Sequence, residues 1–255
     1  MLLALTRAVS PSIVDCQLTH LARQPIDYAG AAAEHAEYER RLAELGATVR
    51  RLPAAPSLPD AAFVEDTAVV VDELAVITRP GAESRRAETA TVASQLAEYR
   101  RCVTIEPPGT LDGGDVLVVA REVYVGRSTR SNDAGIEQLR HVLEPLDYRV
   151  TPIPVTRCLH LKSAVTWVAE RTLLVNPNWI APEEFPGYRQ LSVDPEEPGA
   201  ANALALGGAI LLPAQHARTR ARLAAAGLEA IAVPMAEMAK AEAGITCCSI
   251  ILEVN

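Results

Sequence analysis

The chain has 255 residues, enough to bury a substantial core and to fill one large domain or two small ones. Its composition, 49% hydrophobic and 22% charged, is that of an ordinary globular protein. The formal charge of −8 argues against a nucleic-acid partner, whose phosphates call for Lys and Arg, and suits a small cationic ligand.

The first apolar run, MLLALT, is cut by Arg7 and is too short for the core of a signal peptide. No run of 18 apolar residues follows, so no membrane span is expected. The five cysteines (16, 102, 158, 247 and 248) have no regular spacing, which fits a reduced, cytoplasmic protein. After the β-type run LLALT comes AVSPSIVDCQLTHLARQP. It lacks strong periodicity and reads, at about residues 10–25, as a lid able to close over a ligand. Helical periodicity is clearest over 27–45, with Asp27 as N-cap and Gly46 just past the end, and leads into TVRRL.

A rhythm then sets in. TAVVVD and LAVIT precede a helix at about 84–98 and the strand CVTI; DVLVVA and EVYVG precede a helix at about 132–144 and YRVTPI. AVTWVA and TLLVN precede a weaker helical stretch from near Asn178 and RQLSV. ALALG and AILLP precede a helix at about 215–226 and EAIAV, and SIILE comes last. Four units of strand, strand, helix, strand, with the two ends closing a fifth, give a period of about 51 residues. The pattern predicts a propeller-like closed array; the competing reading is an irregular α/β domain.

Polar residues interrupt apolar runs at four places. In LPDAAFVEDTAVVV, Asp60, Glu65 and Asp66 suit either a cation site or a solvated turn. In GTLDGGDVLVV, Asp112 and Asp115 flank two glycines, which a tight turn alone explains. In CLHLKSAVTWV, His160 is either a hydrogen-bonded core residue or a catalyst. In ITCCSIIL, Cys247 and Cys248 are either small core hydrophobes or chemical thiols. Together they supply the thiol, imidazole and carboxylates that nucleophilic catalysis by cysteine needs. No C-x₂-C or H-x₃-H pair supports a zinc framework, and no P-loop or G-x-G-x-x-G supports nucleotide binding.

FVEDTAVV, ITRPGAESRR, TLDGGDVL, YVGRSTRSN, LHLKSAV and ITCCS, in that order, resemble the dimethylarginine dimethylaminohydrolase family of the guanidine-modifying (pentein) superfamily. The resemblance covers about residues 5–252. It implies an α/β fold, the five-bladed ββαβ propeller, as a single catalytic domain over 1–255. The implied reaction converts Nω,Nω-dimethyl-L-arginine and Nω-monomethyl-L-arginine to L-citrulline plus dimethylamine or methylamine, with no metal or organic cofactor. It implies Cys247 as nucleophile, His160 as general acid/base and Asp112 as the group orienting His160. Asp60, Glu65 and Asp66 would hold the guanidinium and the α-amino group, and Arg85 and Arg130 would clamp the α-carboxylate. Backbone groups near Leu18 and Ala241 would complete the amino-acid end. Cys248 is expected to pack away from the site, since consecutive strand residues face opposite ways. Cys247 beside an imidazole and carboxylates is expected to bind inhibitory Zn²⁺. The implied partner is the methylated arginine alone, with neither nucleic acid nor membrane, and the protein a monomer or homodimer.

Two other readings compete. An arginine or agmatine deiminase shares the fold, although a two-arginine clamp argues against agmatine, which has no carboxylate. A non-catalytic binding module on the same propeller, such as the ribosome anti-association factor, would not need the Cys, His and carboxylate set.

Overall fold

Strand propensity and turn chemistry divide the chain almost where the apolar runs suggest. The computed structural model describes residues 1–254. β1 (Leu2–Arg7), α1 (Tyr28–Glu44) and β2 (Thr48–Leu52) come first. β3 (Ala68–Val70), β4 (Leu74–Ile77), α2 (Thr89–Leu96) and β5 (Arg101–Thr104) form the next unit. β6 (Val116–Val119), β7 (Glu122–Arg127), α3 (Asp133–Leu143) and β8 (Arg149–Pro154) repeat it. A single-turn α4 (Leu161–Ala164) leads into β9 (Val165–Ala169), β10 (Thr172–Val175) and β11 (Arg189–Ser192). The remaining elements are β12 (Leu204–Leu206), β13 (Ala209–Pro213), α5 (Ala217–Ala225), β14 (Ala230–Val233), α6 (Ala236–Ala239) and β15 (Ile250–Glu253).

Among the described residues these strands make five three-stranded sheets, the blades of a propeller. In each blade the first strand runs antiparallel to the second, and the second parallel to the third. The fifth blade draws on both ends of the chain: β15 pairs antiparallel with β1, and β1 parallel with β2. Hydrophobic clusters fill the wedges between blades and helices, so that the core is divided among them.

The helices obey their local signals. Asp27 caps α1 by accepting the Ala29 N–H at 3.1 Å, and Gly46 leaves the helix at a left-handed φ of 95°. Ala31, His35, Tyr38 and Leu42 form the buried stripe of α1. The helix expected over 84–98 is shorter: Glu83–Glu88 is a 3₁₀ turn, and α2 begins only at Thr89. The helical stretch expected near Asn178 is absent, and only a 3₁₀ turn forms at Pro182–Glu184. Pro177, Pro182 and Pro186 remove backbone donors there and disfavour helical geometry in the residues before them.

The segments leading into first strands matter most for function. Val64–Thr67 precedes β3, Gly113–Asp115 precedes β6, α4 precedes β9 and Thr246–Cys248 precedes β15. Repetition of the blade therefore brings the four polar motifs, far apart in sequence, to one end of the ring.

Candidate active site

Cys247 lies in a 3₁₀ turn, where strand alternation was expected. The turn still separates the thiols: Cys248 is fully buried in the core beside α1, while Cys247 is half-buried and lines a cavity. The N–H of Gly244 donates to Cys247 Sγ at 3.3 Å. Burial, followed by the Glu65 and Asp66 carboxylates, pushes the Cys247 thiol well up from its ordinary value. It is therefore a neutral thiol near pH 7 in the empty site.

His160 lines the same cavity and caps the start of α4. Its Nε2 is 3.0 Å from Asp112 Oδ2, and its Nδ1 is 3.8 Å from Asp66 Oδ1. Burial alone would lower the imidazole pKa; Asp66 and the hydrogen bond to Asp112 outweigh it and raise the pKa to about 9. At neutral pH His160 is thus an imidazolium, donating through Nε2 to Asp112. Among the described residues no hydrogen bond occupies Nδ1.

The two glycines of LDGGD are more than turn residues. A Cβ on Gly114 would lie 2.6 Å from His160 Nδ1 and 2.7 Å from Asp66 Oδ1, and one on Gly113 would lie 1.9 Å from the Glu65 carbonyl oxygen. Bare backbone has to pass here for Asp66 and His160 to meet. The Gly114 N–H donates to Asp66 Oδ1 at 2.9 Å. Asp112, fully buried, also accepts the Gly81 N–H at 2.8 Å.

Asp60 and Asp66 line the cavity as expected; Glu65 does not. It turns toward the propeller axis, 2.6 Å from Lys162 Nζ, and accepts the Thr246 hydroxyl at 2.8 Å. Glu65 lines a different cavity, and its charge bears on the Cys247 thiol from there. The Asp60 carboxylate accepts the Gln17 N–H, at 3.1 and 3.2 Å to its two oxygens; burial raises its pKa, against the pull of Arg85. Burial would raise the Asp66 pKa too, but His160 and Arg85 hold it well below the carboxylate range.

The two arginines differ. Arg85 Nη1 donates to Asp66 at 2.5 Å, Nε and Nη2 donate to Glu88, and Nη2 also reaches the Phe63 carbonyl at 3.1 Å. Its guanidinium is already engaged, which departs from the expected free clamp. Arg130 is less committed: Nη2 donates to Thr19 Oγ1 at 2.9 Å, and Nη1 lies 3.9 Å from Asp112. Ala241 and Gln17, the residue before Leu18, line the cavity, and the Leu18 side chain packs against the α1 core.

Among the described residues, the group with metal-ligand spacing is Asp66, Asp112 and His160. Cys247 lies outside it.

Asp115 and Glu88 were not marked as site residues in the sequence. Buried Asp115 accepts the hydroxyls of Ser128 and Ser131 at 2.6 and 2.7 Å and the Leu161 N–H at 3.0 Å. It ties the Arg130 loop to the start of the His160 helix. Its position after DGG reads as turn chemistry, and RSTRSN carries the only hint that hydroxyls meet it. Counting His160 as protonated, seven carboxylates (Asp60, Glu65, Asp66, Glu88, Asp112, Asp115, Glu242) lie in or behind the site with five cations (Arg7, Arg85, Arg130, His160, Lys162). The site has an excess of negative charge that a cationic ligand would offset.

A family model described as N,N dimethylarginine dimethylhydrolase, eukaryotic, matches residues 19–190. A Streptomyces coelicolor N(G),N(G)-dimethylarginine dimethylaminohydrolase is 41% identical over 97% of this chain and 95% of its own length. This chain belongs to the dimethylarginine dimethylaminohydrolase family. The Pseudomonas aeruginosa dimethylarginine dimethylaminohydrolase is 32% identical over 96% of this chain and 97% of its own. A solved structure of the P. aeruginosa protein, a cysteine-to-serine mutant complexed with citrulline, superposes with a TM-score of 0.94 over 98% of both chains, at 31% identity. The N-terminal domain of ArgZ, a cyanobacterial arginine dihydrolase, superposes at 0.88 with 18% identity and covers 98% of both chains. That likeness confirms the fold shared beyond the family, a pentein propeller.

Proposed function

We propose that this chain, acting as one catalytic unit, hydrolyses Nω,Nω-dimethyl-L-arginine and Nω-monomethyl-L-arginine to L-citrulline and the methylated amine. The observation that carries the reading is a single cavity lined both by the pair Cys247 and His160 and by the pair Asp60 and Arg130. The first pair suits a guanidinium carbon, the second an α-amino acid.

The guanidinium would sit against Asp66, with the α-ammonium at Asp60 and the α-carboxylate at Arg130. Charge-assisted hydrogen bonds of this kind contribute about 1.5–3 kcal/mol each. The arriving cation offsets the carboxylates that keep Cys247 protonated, so binding itself favours the thiolate. The thiolate attacks the guanidinium carbon. His160 gives its Nδ1 proton to the departing amine as the C–N bond breaks, leaving a thiouronium on Cys247. His160, now neutral, takes a proton from water as that water attacks the same carbon. The C–S bond then breaks, and citrulline and the free thiol are released. Asp112 holds the ring in place throughout.

The experiment is citrulline release from dimethylarginine, monomethylarginine, arginine and agmatine assayed side by side. The methylated substrates are expected to be fastest. Agmatine, lacking the carboxylate, is expected to lose well over tenfold in kcat/KM, since about 1.4 kcal/mol is tenfold. Faster turnover of arginine or agmatine than of both methylated forms would replace this reading with a deiminase.

A further inference from the structure

The cavity holding Cys247 and His160 measures about 30 Å³, room for about two waters and not for an amino acid. Some part of its wall has to move for a substrate to enter. Gln17 forms part of that wall, and residues 17–21 are tied down there by side chains of the site. Asp60 accepts the Gln17 N–H and Arg130 donates to Thr19 Oγ1. The most concentrated restraint is Glu242, whose carboxylate accepts three consecutive backbone N–H groups, those of Thr19 (at 2.9 Å), His20 and Leu21.

Glu242 is an odd residue for its place. It follows α6 with a left-handed φ of 58°, and its own N–H donates to the Ala239 carbonyl at 3.1 Å. Glycine is the usual residue at such a helix end; a side chain adopts this conformation at a cost. Its neighbours Ala241 and Ala243 both line the cavity. The backbone has no need of glutamate here, whereas the three amides do.

We propose that Glu242 is a positioning residue, a latch that holds residues 17–21 closed over the cavity and, through Thr19, keeps Arg130 from the substrate carboxylate until they lift. The inference rests on the reading of Asp60 and Arg130 as ligands of the amino-acid end. When residues 17–21 lift, Asp60 and Arg130 exchange their partners for the substrate's ammonium and carboxylate. Glu242 keeps its three amides for the closed state only, and so sets how much of that state is populated.

The test is residue-resolved hydrogen exchange at the amides of Thr19, His20 and Leu21, in the parent and in Glu242→Ala, Glu242→Gly and Glu242→Gln. Exchange is expected to speed up about tenfold or more in the Ala and Gly variants. A smaller gain is expected in Gln, which keeps one carbonyl oxygen. Because the closed state leaves no room for substrate, KM for dimethylarginine is expected to fall several-fold in Ala and Gly, with kcat changing less. Exchange at parental rates in Ala and Gly, with parental melting temperatures, overturns the latch. Fast exchange in Ala with parental rates in Gly overturns it as well, since relief of the backbone would then explain the residue. Faster exchange with an unchanged or raised KM overturns the coupling to Arg130. Exchange requires no substrate, so its outcome stands apart from that of the citrulline assay.

Discussion

His160 sits between carboxylates from two different blades, with Nε2 3.0 Å from Asp112 and Nδ1 3.8 Å from Asp66. This pair makes the ring an imidazolium with a pKa of about 9, burial notwithstanding. An NMR titration of the His160 ring should show its midpoint there. Asp112→Asn should move the midpoint down toward an ordinary histidine value and lower kcat by roughly 10²-fold, the usual scale for a general acid/base. A midpoint near 6.5 in the parent would remove the acid role.

The same shift links pH to folding. A pKa raised by folding gives stability that is fully present below the unfolded value, near 6.5, and is lost as pH rises through the folded value, about 9. Urea denaturation should therefore show the fold weakening between about pH 7 and 9.5, by on the order of 3 kcal/mol. In Asp112→Asn the loss over that window should be much smaller. Equal slopes in the two proteins would assign the weakening to other groups.

The two adjacent thiols should separate cleanly. Cys247→Ser is expected to abolish turnover in a folded protein. Cys248→Ser should retain activity but lose about 1–3 kcal/mol of stability, because it puts a hydroxyl into a fully buried apolar site. Alkylation of Cys247 by iodoacetamide should accelerate only well above pH 8.5 in the empty protein, since the thiol is pushed up. Equal turnover losses in the two serine variants would contradict the assignment.

The arginines should fail in different ways. Arg85 is buried against Asp66 and Glu88, so Arg85→Ala leaves two unpaired carboxylates and should cost about 3–5 kcal/mol of folding stability. Arg130→Ala should leave melting nearly unchanged and raise KM by about tenfold or more. Denaturation curves and steady-state kinetics on both variants decide the matter. A stable Arg85→Ala with only a raised KM would restore the two-arginine clamp.

The propeller was legible because each blade repeats one order of elements, and strand runs such as VLVVA and YVG are bounded by strong turn signals. The missing helix near Asn178 shows the limit: a repeat raises an expectation that three prolines locally cancel. Cys247, His160, Asp60 and Asp66 were legible as polar residues interrupting apolar runs, and the cavity gathers them. The direction in which each points was not. Glu65 and Asp66 are neighbours in sequence yet face different cavities, which depends on a 3₁₀ turn that residue types do not specify. Arg85 appeared as a ligand because its partner Glu88, three residues on, looks in sequence like any helix-surface charge.

The antiparallel seam between β1 and β15, with Leu2 opposite Glu253, joins strands about 250 residues apart in sequence. Loop closure over so long a span is slow, and a nascent chain cannot attempt it until β15 has been made. Cys247 lies three residues before β15, in the turn that this pairing fixes. The thiol therefore meets His160 only as the circle shuts. Unfinished or C-terminally clipped chains carry the imidazole and its carboxylates without the sulfur, so hydrolytic activity reports on completion of the whole ring.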